Sequence, residues 1–154
     1  MSYKDEIEKC IRLVGDGLFT EPKKEYRLNI QNNAGKADFC WKIGLSGWLF
    51  IEDEDNNSQR ALNNIIKYWN WCKEEHPSGP ILMIHILGFQ NRLNVTNSKF
   101  IGERMEEYLK ELPFYYRMVT GFISEKQHDP NAEWLSDLKL EIQEMLPLLK
   151  TKTF

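Results

Sequence analysis

The sequence predicts an α/β domain in which a mixed β-sheet is flanked by helices. Amphipathic stretches with a helical period alternate along the chain with short apolar stretches that are typical of strands. Two strand-like stretches are joined by Ser46-Gly47, which is a good signal for a hairpin. The later strands are separated by helices, which favours parallel pairing beside the hairpin. The chain of 154 residues has the length of one domain, and no repeat or Gly/Ser-rich linker divides it.

The first predicted elements are a helix and three strands. Residues 3–14 place apolar side chains at the spacing of an amphipathic helix, and Gly15-Asp16-Gly17 ends it. Strands are predicted at residues 26–30, 37–45 and 48–54, because these stretches alternate in polarity or are mostly apolar. The connections between them are short, so we expect a meander of antiparallel strands.

The remaining elements alternate between helix and strand. The apolar periodicity predicts helices at 59–75 and 98–112, strands at 81–87 and 114–123, and a final helix that begins near residue 131. The positions expected to face the core from the two middle helices are Ala61, Leu62, Ile65, Ile66, Trp69 and Cys72, and Ile101, Met105, Tyr108, Leu109 and Leu112. The apolar strand at 81–87 is typical of a strand that is covered on both faces.

Composition excludes several classes of protein. The longest apolar stretch is far shorter than the roughly 20 residues that span a bilayer, and the first residues are too acidic for a signal peptide, so we expect a cytoplasmic protein. Cys10, Cys40 and Cys72 are widely spaced, which argues against a disulfide framework or a zinc site. His85 lies inside an apolar stretch and is interpreted as a core or strand-end histidine whose hydrogen bonds are satisfied.

The positions of one group of carboxylates suggest a site for a divalent metal ion. Glu52 and Glu54 follow an apolar strand and point to the same side of it, whereas Asp53 points to the other. A hairpin that turned at Ser46-Gly47 would bring Asp38 near position 55, alongside these carboxylates. Like charges gathered in this way repel each other, and Mg²⁺, which favours few carboxylates plus water and phosphate oxygens, would compensate them. The alternative interpretation is a solvated strand end that protects the edge of the sheet.

The order of a helix, three meandering strands, a helix and a strand resembles the core of the PD-(D/E)XK nuclease superfamily, the fold of many restriction endonucleases. In that family an Asp opens the second strand, and an apolar stretch on the third strand ends in (D/E)xK. Ala37-Asp38-Phe39 resembles the first motif and Phe50-Ile51-Glu52-Asp53-Glu54 the second. The resemblance covers roughly residues 3–123 in topology. It implies a restriction-endonuclease-like αβββαβ core with further C-terminal elements, and Mg²⁺ or Mn²⁺ held by Asp38, Glu52 and Glu54.

The sequence departs from the family pattern at the motif lysine, which is replaced by Glu54. Some restriction endonucleases of the superfamily are similar in this respect, with a glutamate that acts as a ligand or base. A second possibility is that the cation has moved to the next helix, where Gln59 or Lys67 would support the water or the phosphate. A third is that the site is degenerate and the fold is kept for binding. Glu6 or Glu8 on the first helix is an additional candidate for the same cluster.

These patterns lead to two functional hypotheses. The resemblance implies a metal-dependent endonuclease that hydrolyses DNA phosphodiesters, with 5′-phosphate and 3′-hydroxyl products. A small nuclease with one site often dimerises to cut two strands, so a homodimer is possible, but the sequence shows no unambiguous interface stripe. The net charge of −3 is not that of a strong nonspecific DNA binder. The basic residues that could contact phosphate are Lys23, Lys24, Arg27, Lys36, Arg92, Lys99 and Arg104. The alternative hypothesis is a noncatalytic acidic module of the inhibitor or immunity type, which presents residues 52–55 to a basic protein partner.

Overall fold

The computed structural model describes residues 3–28, 35–54, 61–88, 92–109, 114–121 and 131–152. Helices and strands alternate along the chain after an initial helix and three consecutive strands. In chain order they are α1 (Tyr3–Val14), β1 (Phe19–Leu28), β2 (Gly35–Ile43), β3 (Gly47–Glu54), α2 (Ala61–Glu75), β4 (Ile81–Leu87), α3 (Arg92–Tyr108), β5 (Phe114–Thr120) and α4 (Glu133–Lys152).

The five strands form one mixed sheet in the order β1-β2-β3-β4-β5. The first three strands pair antiparallel, and β3, β4 and β5 pair parallel. The predicted α/β class with a mixed sheet is therefore confirmed. The short connections produce the antiparallel half of the sheet and the helical crossovers produce the parallel half.

Two apolar cores lie on opposite faces of the sheet. Helices α1 and α4 cover one face, where Ile7, Ile51 and Leu138 are fully buried. Helices α2 and α3 cover the other face, where Phe50 and Tyr68 are fully buried. Strand β4 is buried along its whole length, as its mostly apolar sequence predicts. The β3 side chains from Leu49 to Asp53 and the side chains of β4 are therefore buried in one of the two layers.

The hairpin between β2 and β3 turns earlier than predicted. Ile43 pairs with Gly47, so the turn consists of residues 44–46 and not of a Ser46-Gly47 join. Gly44 has a φ of 57°, a left-handed conformation that glycine adopts without steric cost. Phe39 pairs with Ile51, which makes Asp38 the neighbour of Glu52 and not of position 55.

Several predicted boundaries and burial positions were wrong. Strand β1 begins at Phe19, whereas the sequence predicted a start at residue 26. The strand was missed because most of its residues are exposed and polar, so the alternation typical of a strand is hidden. Helix α3 begins at Arg92, before the predicted 98, and Tyr108 at its end is 77% exposed. Strand β1 lies at the antiparallel edge of the sheet, and α3 lies in the outer helical layer. At both places apolar periodicity is a weak guide to where an element begins and which side chains are buried.

Helix α2 is rotated relative to the orientation that its sequence predicted. Ile65 and Cys72 are buried as expected, but Ile66 and Trp69 are largely exposed. Tyr68 is fully buried in their place, because it packs on Phe50 with ring centroids 4.7 Å apart. The rotation turns a polar hydroxyl toward the sheet. Among the described residues, no helix is long and apolar enough to cross a membrane.

Candidate functional site

The candidate site lies where β2 and β3 stop pairing through their backbones. The last Cα pair of this ladder is Phe39 with Ile51. One residue further, Asp38 Oδ2 accepts a hydrogen bond from the backbone N–H of Asp53 at 3.0 Å. The carboxylate thus takes the place of a strand carbonyl and fixes Asp38 beside Glu52.

Glu52 projects from β3 into the layer beneath α2 and is only 2% exposed. Its Oε1 accepts hydrogen bonds from Lys67 Nζ, at 2.6 Å, and from the hydroxyl of Tyr68. Lys67 Nζ also donates to the backbone carbonyl of Lys36, at 2.5 Å. Gly35 permits this approach, because a Cβ at that position would lie 2.5 Å from Lys67 Cδ. Strands β2 and β3 and helix α2 therefore converge on a single carboxylate oxygen.

Burial and repulsion from Asp38 destabilise the charged form of the Glu52 carboxylate in this cluster. Burial raises the pKa of Glu52 well above its usual range, and the negative charge of Asp38 raises it further. The Lys67 ammonium acts in the opposite direction but does not outweigh them. Burial and the nearby Glu52 raise the pKa of Tyr68 well above its ordinary value, so its hydroxyl remains a donor. A negative charge on Glu52 is therefore costly in the absence of additional positive charge.

The other predicted acidic residues lie at several places in the described structure. Asp53 lies on the opposite face of the sheet, as strand alternation predicted, and its Oδ2 accepts a hydrogen bond from the Tyr3 hydroxyl at 3.2 Å. Glu54 ends β3 and is half-buried. Glu8 pairs with Arg12 at 2.8 Å on the α1 side of the molecule.

Two further predicted residues are Gln59 and Glu6. Gln59 lies outside the described residues, so its predicted role stays a prediction. Glu6 lines a cavity with Lys9 and Lys139 on the face covered by α1 and α4, away from α2. The convergent set therefore consists of Asp38, Glu52 and Lys67, together with Tyr68, which sequence reasoning had not singled out.

The donor chemistry of the site fits a magnesium ion. Within the described parts of the chain, no group of three or more His, Cys, Asp or Glu side chains is arranged to hold a metal. Asp38 and Glu52 offer two carboxylates, and Mg²⁺ is commonly held by one or two carboxylates with water and substrate phosphate completing its shell. The same pair lacks the nitrogen or sulfur ligands that zinc prefers.

His85 was interpreted from the sequence as a satisfied core histidine, and this was only half right. It is fully buried on β4 and is the Cα partner of Glu52 across the parallel ladder. Its Nδ1 lies 3.2 Å from the hydroxyl of Tyr116, but within the described structure its Nε2 has no hydrogen-bond partner. Burial, reinforced by the charge of Lys67, lowers the pKa of His85 to about 3, so the ring is neutral.

The position of His85 has a signal in the sequence. A polar residue inside an otherwise apolar strand marks a place where the buried layer is interrupted, and Glu52 is the matching interruption in β3. Parallel pairing of the two strands is needed to bring the interruptions side by side, and sequence alone does not give this register. The layer beneath α2 therefore contains a contiguous polar group within an apolar core.

Comparisons of the chain with protein-family models, with curated proteins and with solved structures found no match.

Proposed function

We propose that this protein is a metal-dependent nuclease that hydrolyses phosphodiester bonds of DNA. The observation that carries the proposal is the convergence of Asp38, Glu52 and Lys67 from three elements that are distant in the sequence. The PD-(D/E)XK resemblance calls for two carboxylates and a lysine in one site. Asp38 and Glu52 supply the carboxylates, and Lys67 on α2 supplies the positively charged side chain that Glu54 cannot supply.

The order of elements also supports the proposal at the level of the fold. A helix, three antiparallel strands, a helix and a parallel strand come in the sequence that the resemblance implies. The αβββαβ core with C-terminal elements is thus part of the same proposal.

Each residue of the site has a distinct role in this scheme. Asp38 and Glu52 would hold the metal ion, and Glu54 is a further candidate ligand or base at the end of the same strand. Mg²⁺ or Mn²⁺, when bound, would polarise the phosphodiester and lower the pKa of a water. Tyr68 holds Glu52 Oε1 in place through its hydrogen bond. Lys67 is 2.6 Å from Glu52 and carries the positive charge that would orient a water or a phosphate oxygen.

Local charge favours a phosphate substrate despite the overall charge of −3. Arg27 and Lys36 pair across β1 and β2, and both side chains are exposed. Lys36 lies two residues from Asp38, and its carbonyl holds Lys67. A patch of positive charge therefore adjoins the carboxylates, as binding to a polyanion requires.

One observation favours the alternative of a noncatalytic fold. Glu52 already has two donors within the protein, Lys67 and Tyr68, so the cluster is satisfied in part without a metal. A module that presents residues 52–55 to a basic partner finds less support, because Glu52 and Asp53 are both buried. A degenerate site kept for DNA binding is the better form of the alternative.

The test is cleavage of supercoiled plasmid and of labelled single-stranded and branched DNA with Mg²⁺ or Mn²⁺. We expect cleavage that EDTA abolishes and that Asp38→Asn, Glu52→Gln and Lys67→Met each reduce at least a hundredfold. The matched control is Asp53→Asn, which changes a carboxylate on the same strand but on the opposite face. This variant should retain cleavage, and its retention together with the loss of cleavage in the three site variants excludes a co-purified nuclease as the source.

Thermal unfolding with Mn²⁺ gives a second readout that does not depend on substrate choice. A ligand that binds only the native state raises its stability, so the melting temperature of the wild type should rise and that of Glu52→Gln should not. DNA binding without cleavage and without a metal-dependent shift would indicate the degenerate site. The absence of all three results, DNA binding, cleavage and a metal-dependent shift in melting temperature, would contradict the proposal as a whole.

A further inference from the structure

The outer surface of α2 and α3 carries an apolar patch that the fold does not use. Its largest exposed side chains are Ile66 and Trp69 on α2 and Phe100 and Tyr108 on α3, which are 46%, 42%, 58% and 77% exposed. Between the two helices they line a cavity of about 470 Å³, whose floor is formed by Ile101 and Met105. Ile66, Trp69 and Tyr108 are at positions whose sequence pattern predicted burial. The pattern is therefore that of a surface which is covered in the functional molecule.

We propose that this patch, called here the α2–α3 patch, is the interface of a homodimer, in which it packs against the same patch of a second copy. The inference concerns assembly and does not depend on the nuclease proposal. An interface with twofold symmetry brings each surface against itself, so it must be complementary to itself in charge.

The charge of the α2–α3 patch meets this requirement. Among the described residues that line the cavity, Arg104 is the one that is charged, and Glu107 neutralises it at 3.0 Å. The Arg104 guanidinium also lies over the ring of Phe100, 5.1 Å from its centroid, and so covers apolar surface. Two such patches meet without like-charge repulsion, even though each chain carries a net charge of −3.

A groove elsewhere on the molecule provides a contrast. The cavity beside β5 is lined by Glu103, Glu106, Glu141 and Glu144, with Lys99 and Arg117 as its cations. Self-association through that groove would place acidic surfaces against each other. Of these two cavities, the one between α2 and α3 is thus the better candidate for contact with a second copy.

The exposed area fits a weak, reversible dimer. Aromatic side chains bury roughly 150–250 Å² each, so the exposed fractions of Trp69, Phe100 and Tyr108 supply about 300–400 Å². Ile66 and the rim of the patch add to this. The total is roughly half of the 800 Å² per partner of a standard stable interface. We therefore expect dissociation in the micromolar range, on the order of 1–100 μM.

The experiment is sedimentation velocity, with light scattering, over a series of concentrations from low to high micromolar. The wild type should shift from monomer toward dimer as concentration rises. Phe100→Glu and Tyr108→Glu place a charge at exposed positions, so both should fold normally and weaken the dimer at least tenfold. The control is Leu140→Glu, an equally exposed apolar residue on α4, which should behave as the wild type.

Each result distinguishes assembly from the alternatives. A wild type that stays monomeric at every concentration overturns the proposal, as does a dimer that survives both α3 substitutions. If the wild type is monomeric and binding of oligothymidine falls in Phe100→Glu, the aromatic patch stacks on nucleic acid bases and not on a second copy. Glu52→Gln should dimerise as the wild type does, so failure of the nuclease proposal does not affect this test.

Discussion

Glu52 is buried beside a second carboxylate, and this combination is unfavourable for the stability of the folded chain. Burial and Asp38 both favour its neutral form, and Lys67 compensates only in part. Residues that lower the stability of the folded state are common at functional sites, because activity often requires side chains that destabilise the fold. The buried Nε2 of His85, without a partner in the described structure, is a second unfavourable feature of the same layer.

The first prediction at this scale concerns the free energy of unfolding of Glu52→Gln. Glutamine resembles the protonated carboxyl and removes the repulsion from Asp38, while Lys67 keeps its bond to the carbonyl of Lys36. We expect the variant to be more stable than the wild type at pH 7.5, without metal, by on the order of 1 kcal/mol. Urea unfolding measures this difference. Glu144→Gln, at an exposed position, is the control, and a destabilised Glu52→Gln would mean that the ion pair with Lys67 dominates.

The second prediction concerns the pH dependence of stability caused by His85. Its pKa is about 3 in the folded chain, against about 6.5 in an unfolded one, so the unfolded state binds more protons between these values. This contribution is fully present above pH 6.5 and is lost as the pH falls toward 3. His85→Phe should therefore lose less stability on acidification, by up to about 1.4 kcal/mol per pH unit.

The groups that face His85 are Glu52 from β3, Lys67 from α2 and Tyr116 from β5. All three are retained in His85→Phe, so the difference between the two unfolding curves isolates the imidazole. Equal slopes for the two proteins between pH 6.5 and 4.5 would contradict the buried, neutral state of this ring.

At the scale of elements, close contact between α3 and the sheet depends on one glycine. A Cβ on Gly102 would overlap the ring of Tyr116, which is buried and whose hydroxyl is held by His85. Intrinsic helix propensity favours alanine over glycine by about 1 kcal/mol, so propensity and packing predict opposite signs for Gly102→Ala.

We predict that packing dominates, because the Tyr116 ring is buried and its hydroxyl is in hydrogen-bond contact with His85. Gly102→Ala should reduce the free energy of unfolding by roughly 1–3 kcal/mol in chemical denaturation. Glu103→Ala, the next residue and exposed, should change it by less than about 0.5 kcal/mol. A stabilised Gly102→Ala would show that α3 moves away from the sheet easily.

The elements also show which parts of the fold could be predicted from sequence. Strand β4 and helix α1 were predicted with their observed bounds, because a short, mostly apolar stretch and a regular amphipathic period each indicate one type of element. Strand β1 was largely missed, since its exposed edge position leaves it polar. The rotation of α2 depends on the contact of Tyr68 with Glu52 and Phe50, which a helical period cannot reveal.

The site was predictable to a similar degree. Alternation along β3 correctly placed Glu52 and Asp53 on opposite faces, because the period of a strand is two. The pairing of Asp38 was predicted three residues away from its observed partner, because the length of the turn after Ile43 sets the register and Gly44 allowed a longer turn. The role of Tyr68 and the neighbourhood of His85 required the packing of α2 and the parallel ladder.

At the scale of the whole molecule, the two cores share a single sheet. Ile51 and Phe50 are neighbours on β3, yet one packs against α1 and α4 and the other against α2 and α3. If either helical layer is lost, one face of the sheet becomes exposed. The same strands also support the other helical layer, which packs on the opposite face. We therefore expect both layers to unfold together, as one domain.

Leu138→Ala tests this expectation from one side of the sheet. Leu138 is fully buried on the inner side of α4, so the substitution should cost roughly 2–5 kcal/mol, whereas Leu140→Ala on the exposed side of α4 should cost less than about 0.5 kcal/mol. Hydrogen exchange followed by mass spectrometry then reports on each helix. In Leu138→Ala, protection of α2 and β4 should fall together with that of α4, and circular dichroism and tryptophan fluorescence should give coincident unfolding curves. If α2 kept its protection while α4 lost it, the α2–α3 layer, with the cluster around Glu52, would be stable without the opposite core, and the chain would behave as two cooperative units.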